Sequence, residues 1–357
     1  MSEPTLNYVL CPDASGGHRM AYWQWGDAQS PHVVVCVHGL SRQARDFDVL
    51  ARSLCERSGG HVRVICPDVV GRGHSDWLKD PMGYQVPLYA ADMLTLLAAL
   101  EPQTLDWVGT SMGGLIGIAV CGLQEAQSAA SLGAAAAPGR PKQGTAPVGL
   151  TSTAPSLPAQ TWTDGRVVAS GIDMSSAAHA VASVGAVVPV RRLVLNDVGP
   201  RIQWQALRRI GEYLGDTGRF ESIEQAADAM WAASTTFGPH SPAQWLALSR
   251  PMVKPVPGLP GVLTLHYDPA IALTFQSATP ESVAQGEATL WQLYDQITAS
   301  TLLLRGAQSD LLSVETAQSM TRRGPQARLV EFDGIGHAPT LIADDQVQVV
   351  TSFLLQD

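Results

Sequence analysis

The stretch Leu105-Asp106-Trp107-Val108-Gly109-Thr110-Ser111-Met112-Gly113-Gly114-Leu115 is an apolar run that ends in Gly-x-Ser-x-Gly and passes directly into a second apolar segment. It reads as a strand, a sharp turn and a helix. A serine at the apex of such a turn is held in a strained conformation with its hydroxyl above the strand end. Gly109 and Gly113 flank it because a side chain there would collide with neighbouring backbone. The helix starting at Met112 points its positive end at the same place, which favours developing negative charge. Ser111 is therefore the candidate nucleophile.

Outward from this stretch, similar runs recur at Val33–Val37, Val62–Cys66, Thr104–Val108, Leu193–Leu195, Thr301–Leu304 and Ala327–Phe332. They are rich in Val, Leu and Ile with little alternation, as expected of strands buried on both faces of a parallel sheet. Helical candidates such as Leu88–Leu100 and Met112–Gln124 lie between them. Repeated strand-then-helix units predict an α/β fold, a mostly parallel sheet covered on both faces. Leu6–Gly26 is read as an additional antiparallel hairpin. Two regions break the rhythm. Residues 126 to about 185 are rich in Ala, Pro, Ser, Gly and Thr, and are read as a flexible insertion that buries little apolar surface. Residues 200–295 hold most of the later aromatics on helical stretches such as Trp204–Leu214 and Ser222–Ala233, and are read as a helical lid. The core is then residues 1–199 and 296–357.

Three further motifs complete the chemistry. In Val33-Val34-Val35-Cys36-Val37-His38-Gly39-Leu40 a strand runs into a His-Gly turn. Acyl transfer turns a carbonyl oxygen into an anion, which needs backbone donors already in place. The N–H groups of Leu40 and Met112 are the candidates, with His38 and Gly39 shaping the loop. In Leu302-Leu303-Leu304-Arg305-Gly306-Ala307-Gln308-Ser309-Asp310 a strand ends in a loop carrying a carboxylate. Such a group holds the base in one tautomer. In Phe332-Asp333-Gly334-Ile335-Gly336-His337 a glycine-rich loop presents the candidate base, His337. Asp310 is preferred as the acid because it lies one loop before the histidine. Asp197, at the end of Leu193-Val194-Leu195-Asn196-Asp197, is the alternative.

Other chemistries find little support. A net charge of -9 with only isolated Arg pairs argues against a nucleic-acid partner. The nine histidines form no metal-binding spacing, so neither metal nor cofactor is expected. Five cysteines without regular spacing give no disulfide framework. With no apolar run long enough to span a bilayer and no leader pattern after Met1, a cytoplasmic location is expected.

Taken together, these motifs resemble the α/β-hydrolase superfamily across nearly the whole chain apart from the insertion. Pro67-Asp68-Val69-Val70-Gly71-Arg72-Gly73-His74-Ser75-Asp76 looks like its Asp-x-x-Gly-x-Gly-x-Ser segment. The resemblance implies an eight-stranded, mostly parallel sheet with the lid inserted before the acid-bearing strand. It also implies a nucleophile elbow at Ser111 and the chain order Ser111, Asp310, His337. More narrowly, Gly109–Gly117, Leu195–Pro200 and His337-Ala338-Pro339 look like bacterial soluble esterase-like hydrolases. Some of these are described as cleaving hydroxyalkanoate oligomers. The long separation of Ser111 from Asp197 departs from that group.

The expected activity is hydrolysis of small or medium apolar carboxylic esters through an acyl-enzyme. The same triad would serve lactones, thioesters, hydroxyalkanoate oligomers or C–C bonds, since the triad does not specify the substrate. A non-catalytic ligand-binding relative is the reading from another class, and such proteins usually lose a triad residue.

Overall fold

In the computed structural model, residues 3–13, 15–135 and 187–356 are described. Beyond residue 135 the expected insertion lies outside the described residues. Strands β1 (Thr5–Cys11), β2 (His18–Trp25), β3 (His32–Val37), β4 (Val62–Pro67), β5 (Thr104–Thr110) and β6 (Val190–Asn196) form the first part of the chain's sheet. After a small hairpin of β7 (Val253–Pro255) and β8 (Leu263–Leu265), β9 (Ser300–Gly306) and β10 (Arg328–Phe332) complete it. The order is β1-β2-β4-β3-β5-β6-β9-β10, an eight-stranded sheet. Only the pairings made by β2 are antiparallel.

The alternation along β3 explains why its sequence reads as unbroken Val and Cys. Val33, Val35 and Val37 enter one core and Val34 and Cys36 the other. With both faces covered, neither set of side chains can be polar. The first core packs helices α2 (Val86–Leu100) and α3 (Met112–Ala135); the second packs α1 (Asp48–Arg57) and the last helix of the chain.

Between β6 and β9 lie helices α4 (Trp204–Tyr213), α5 (Ile223–Ser234), α6 (Pro242–Ser249), α7 (Ala272–Gln276) and α8 (Pro280–Asp295). α4 is anchored by Ala206 and Ile210, which pack with Val198 and Leu311 at the strand ends. The chain closes with α9 (Val314–Met320) and α10 (Asp344–Leu355). No described helix is long and apolar enough to cross a membrane.

The β1–β2 hairpin is fastened to α2 by a buried charge relay. His18 Nδ1 lies 2.9 Å from Asp13 Oδ2, and Nε2 lies 2.9 Å from Asp92 Oδ2. Ionised carboxylates on both sides favour a proton on each ring nitrogen, against the burial that raises the pKa of Asp92. Burial alone would lower the His18 pKa, but bonds and charge from Asp92 and Asp13 outweigh it and raise the pKa to about 9. A raised histidine pKa stabilises the fold below the unfolded value near 6.5 and loses that contribution as pH rises through about 9. Thermal stability is therefore expected to fall between pH 7 and 10, by the equivalent of roughly 2–3 kcal/mol. The neutral double variant His18→Gln, Asp92→Asn should show a flatter profile over that range. An equal slope in calorimetric melts of both proteins would refute the assignment.

Candidate active site

Ser111 sits between the last residue of β5 and the first of α3 with φ of +52°, in the left-handed region. The sharpness of this turn depends on its glycines. A Cβ on Gly109 would lie 2.3 Å from the Gly113 carbonyl oxygen, and one on Gly113 would lie 2.0 Å from that of Val37. The Trp107 indole donates to the Gly113 carbonyl at 3.1 Å and braces the first turn of α3. The strained serine is tied across the sheet by its own N–H, which donates to Asn196 O at 2.9 Å.

His337 arrives from the loop after β10. Its Nε2 lies 2.9 Å from Ser111 Oγ. Its Nδ1 lies 2.7 Å from Asp197 Oδ2, with the Asp197 side chain fully buried. Asp197 directly follows β6, and its other oxygen accepts the Gly306 N–H at 2.9 Å. The Ser309 hydroxyl donates to Oδ2 at 2.6 Å. Asp197 too has positive φ, +55°, which swings its carboxylate from the strand end toward the histidine.

The preference for Asp310 is therefore corrected. The loop after β9 bends back at Gly306, where Ser309 N–H bonds the Gly306 carbonyl at 2.9 Å. This turn aims Ser309 at the buried carboxylate and sends Asp310 outward. There its side chain is about half exposed and pairs with Arg209 at 2.7 Å. Register explains why Asp197 is the group in reach. β6 lies beside β5 with Asn196 opposite Thr110, so the residues that follow, Asp197 and Ser111, leave adjacent strands side by side.

The loop after β3 is shaped by three side chains. His38 is fully buried; its Nδ1 donates to Gly39 O at 2.7 Å and its Nε2 accepts the Val69 N–H at 2.9 Å. Burial pushes its pKa down to about 3, so the ring stays neutral in this tautomer. Gly39 passes close to the serine, since a Cβ there would lie 3.7 Å from Ser111 Cβ. Asp68, the acid of the Asp-x-x-Gly-x-Gly-x-Ser segment, accepts the N–H groups of Ala44 at 2.9 Å and His74 at 3.0 Å. Arg72, read from the sequence only as part of a turn, is fully buried. It donates to Leu40 O at 2.8 Å and reaches Met112 Sδ at 3.5 Å, with Tyr89 below its guanidinium. It thus links the loop after β3 to the residue that follows the serine.

Ser111, Leu40 and Met112 open onto a cavity of about 790 Å³ whose walls, Leu115, Phe275 and Leu290 among them, are mostly apolar. Its size is that of a small-molecule site.

Comparison with known proteins agrees with this architecture. The family model for the alpha/beta hydrolase fold matches residues 32–149. Over 353 residues the chain is 40% identical to the 3-hydroxybutyrate-oligomer hydrolase of Cupriavidus necator, covering 99% of this chain and 98% of that protein. An alpha/beta hydrolase from Novosphingobium aromaticivorans superimposes with a TM-score of 0.67 at 30% identity, covering 99% of both chains. The fold is also shared, at 23% identity, with a crystal structure of a Rickettsia typhi protein, with a TM-score of 0.71 over 100% of both chains. The parallel eight-stranded sheet and the full-length likeness to these hydrolases identify the chain as a member of the α/β-hydrolase family.

Proposed function

We propose that this chain is a serine hydrolase that cleaves the ester bonds of short hydroxyalkanoate oligomers through an acyl-enzyme. The observation that carries the reading is the chain of hydrogen bonds Ser111–His337–Asp197, with Ser111 lining an apolar cavity. The substrate class follows the full-length likeness to a protein named for hydrolysing 3-hydroxybutyrate oligomers.

The chemistry follows from the positions. Asp197 accepts from Nδ1–H, which leaves Nε2 free to take the Ser111 proton. Ser111 Oγ then attacks the ester carbonyl. The resulting oxyanion is met by the backbone N–H groups of Leu40 and Met112, at the positive end of α3. When the tetrahedral intermediate collapses, the C–O bond breaks and His337 returns the proton to the departing alcohol. Water attacks the acyl-enzyme with His337 again as base, releasing the acid and restoring the serine. The apolar walls accommodate the methyl and methylene groups of the oligomer. A cytoplasmic location belongs to the same proposal, with all five cysteines free and buried.

The test is release of monomer from linear 3-hydroxybutyrate dimer and trimer, followed by chromatography alongside p-nitrophenyl butyrate and thioester and lactone analogues. Turnover of the oligomers at kcat/KM above roughly 10⁴ M⁻¹s⁻¹ is expected, well ahead of the analogues. Cleavage of the analogues alone would overturn the substrate class, and cleavage of none would overturn the enzymatic reading.

A further inference from the structure

This inference rests on the reading of the chain as an oligomer hydrolase and specifies how one end of the substrate is held. A linear hydroxyalkanoate oligomer ends in a carboxylate. When the ester nearest that end is cleaved, the carboxylate belongs to the departing alcohol. An anion entering an apolar cavity loses hydration that another group must replace.

Among the described residues lining the cavity, Arg208 is the only lysine or arginine. It stands on α4, on the side where Trp204, Leu207 and Gly211 also line the cavity. Arg208 is exposed, at the rim. Its neighbour Arg209 is engaged by Asp310 at 2.7 Å. Two carboxylates share the lining: Glu287 faces Arg201 at 3.7 Å, and Glu212 lies one helical turn from Arg208. Among the described residues, neither forms an ion pair with Arg208. The lining thus combines apolar walls, the Ser111 hydroxyl and, among the described residues, one guanidinium outside any ion pair. That arrangement matches an oligomer with an ester inside and an anion at its end.

We propose that Arg208 is a specificity-determining residue that takes the terminal carboxylate of the bound oligomer, by the two-point bonding a guanidinium offers. Binding of the free acid then gains affinity over its neutral ester, and the preference weakens with salt because the pair is exposed.

The test compares kcat/KM for 3-hydroxybutyrate dimer and trimer with that for their methyl esters. In the wild type the free acids should be favoured, through a lower KM. Arg208→Gln should lower the acid-to-methyl-ester ratio by roughly threefold to fivefold, almost entirely in KM, and Arg208→Lys should restore part of it. Arg219→Gln, an exposed arginine outside the cavity lining, should leave the ratio unchanged. Raising the salt from 50 to 500 mM should erode the wild-type ratio and not that of Arg208→Gln. An unchanged ratio in a folded Arg208→Gln protein, or an equal loss in Arg219→Gln, would overturn the assignment while leaving the hydrolase reading intact. Failure of the wild type to cleave either the acids or their methyl esters would instead remove the proposed function, and this inference with it.

Discussion

Replacing Ser111 by alanine is expected to lower kcat/KM for any ester substrate by roughly 10⁵-fold, with the fold intact. The size of the effect follows from what the hydroxyl does. In the proposed mechanism it supplies the bond that splits one difficult step into two. The residual activity would come from the proposed oxyanion donors and from binding, which survive the change. The fold should tolerate it, because the strain at φ of +52° is held by the close-packed glycines and by the bond to Asn196, not by the hydroxyl. Two measurements check this. A fluorophosphonate probe should label the wild type at Ser111 and leave Ser111→Ala unlabelled. Circular dichroism melts of the two proteins should lie within a few degrees of each other. A variant that retains more than a few per cent of activity would show that another group attacks the carbonyl.

The place of Ser111 at the turn from strand to helix was legible in the sequence because every cue to it is local. A buried strand, a turn and a helix are consecutive, and the glycine spacing reports backbone collisions within a few residues. The same holds for His337, which follows its strand through a glycine-rich loop, and for the His38 turn, whose neutral bracing ring fits a loop-shaping role. Sheet composition was equally legible, since strands buried on both faces must be apolar throughout. The carboxylate beside His337 was different. Two strands, β6 and β9, end near a carboxylate, and both carboxylates precede the histidine in the chain. Which of them reaches the imidazole depends on the neighbour of β5 in the sheet and on the direction of one turn at Gly306. Both are long-range facts that hydrophobic periodicity does not carry. Arg72 was missed for a related reason. A guanidinium in a glycine-rich turn is ordinarily solvated, and only the packing of Tyr89, Leu40 and Met112 around it makes it a buried support.

Asp197→Asn and Asp310→Asn should behave oppositely, although each removes one negative charge from a loop near the histidine. The first is expected to lower kcat/KM by roughly 10³- to 10⁴-fold. Oδ1 of Asp197 accepts the Gly306 N–H, so the amide oxygen of asparagine takes that position and its NH₂ group takes the place of Oδ2. There it faces His337 Nδ1 at 2.7 Å and the Ser309 hydroxyl at 2.6 Å. An amide N–H can only donate to the ring nitrogen, which drives the imidazole proton to Nε2. In that tautomer His337 donates toward Ser111 and has no lone pair with which to take the serine proton. The geometry survives and the direction of the hydrogen bond is reversed. Asp310→Asn loses only a surface pair with Arg209, both partners being close to half exposed, and such pairs contribute on the order of 0–1 kcal/mol. Its kcat/KM should stay within about threefold of the wild type, and its melting point within a few degrees. Steady-state assays of both variants on one soluble ester decide the matter: a crippled Asp310→Asn beside a near-normal Asp197→Asn would mean that the loop after β9, not the end of β6, supplies the acid during turnover.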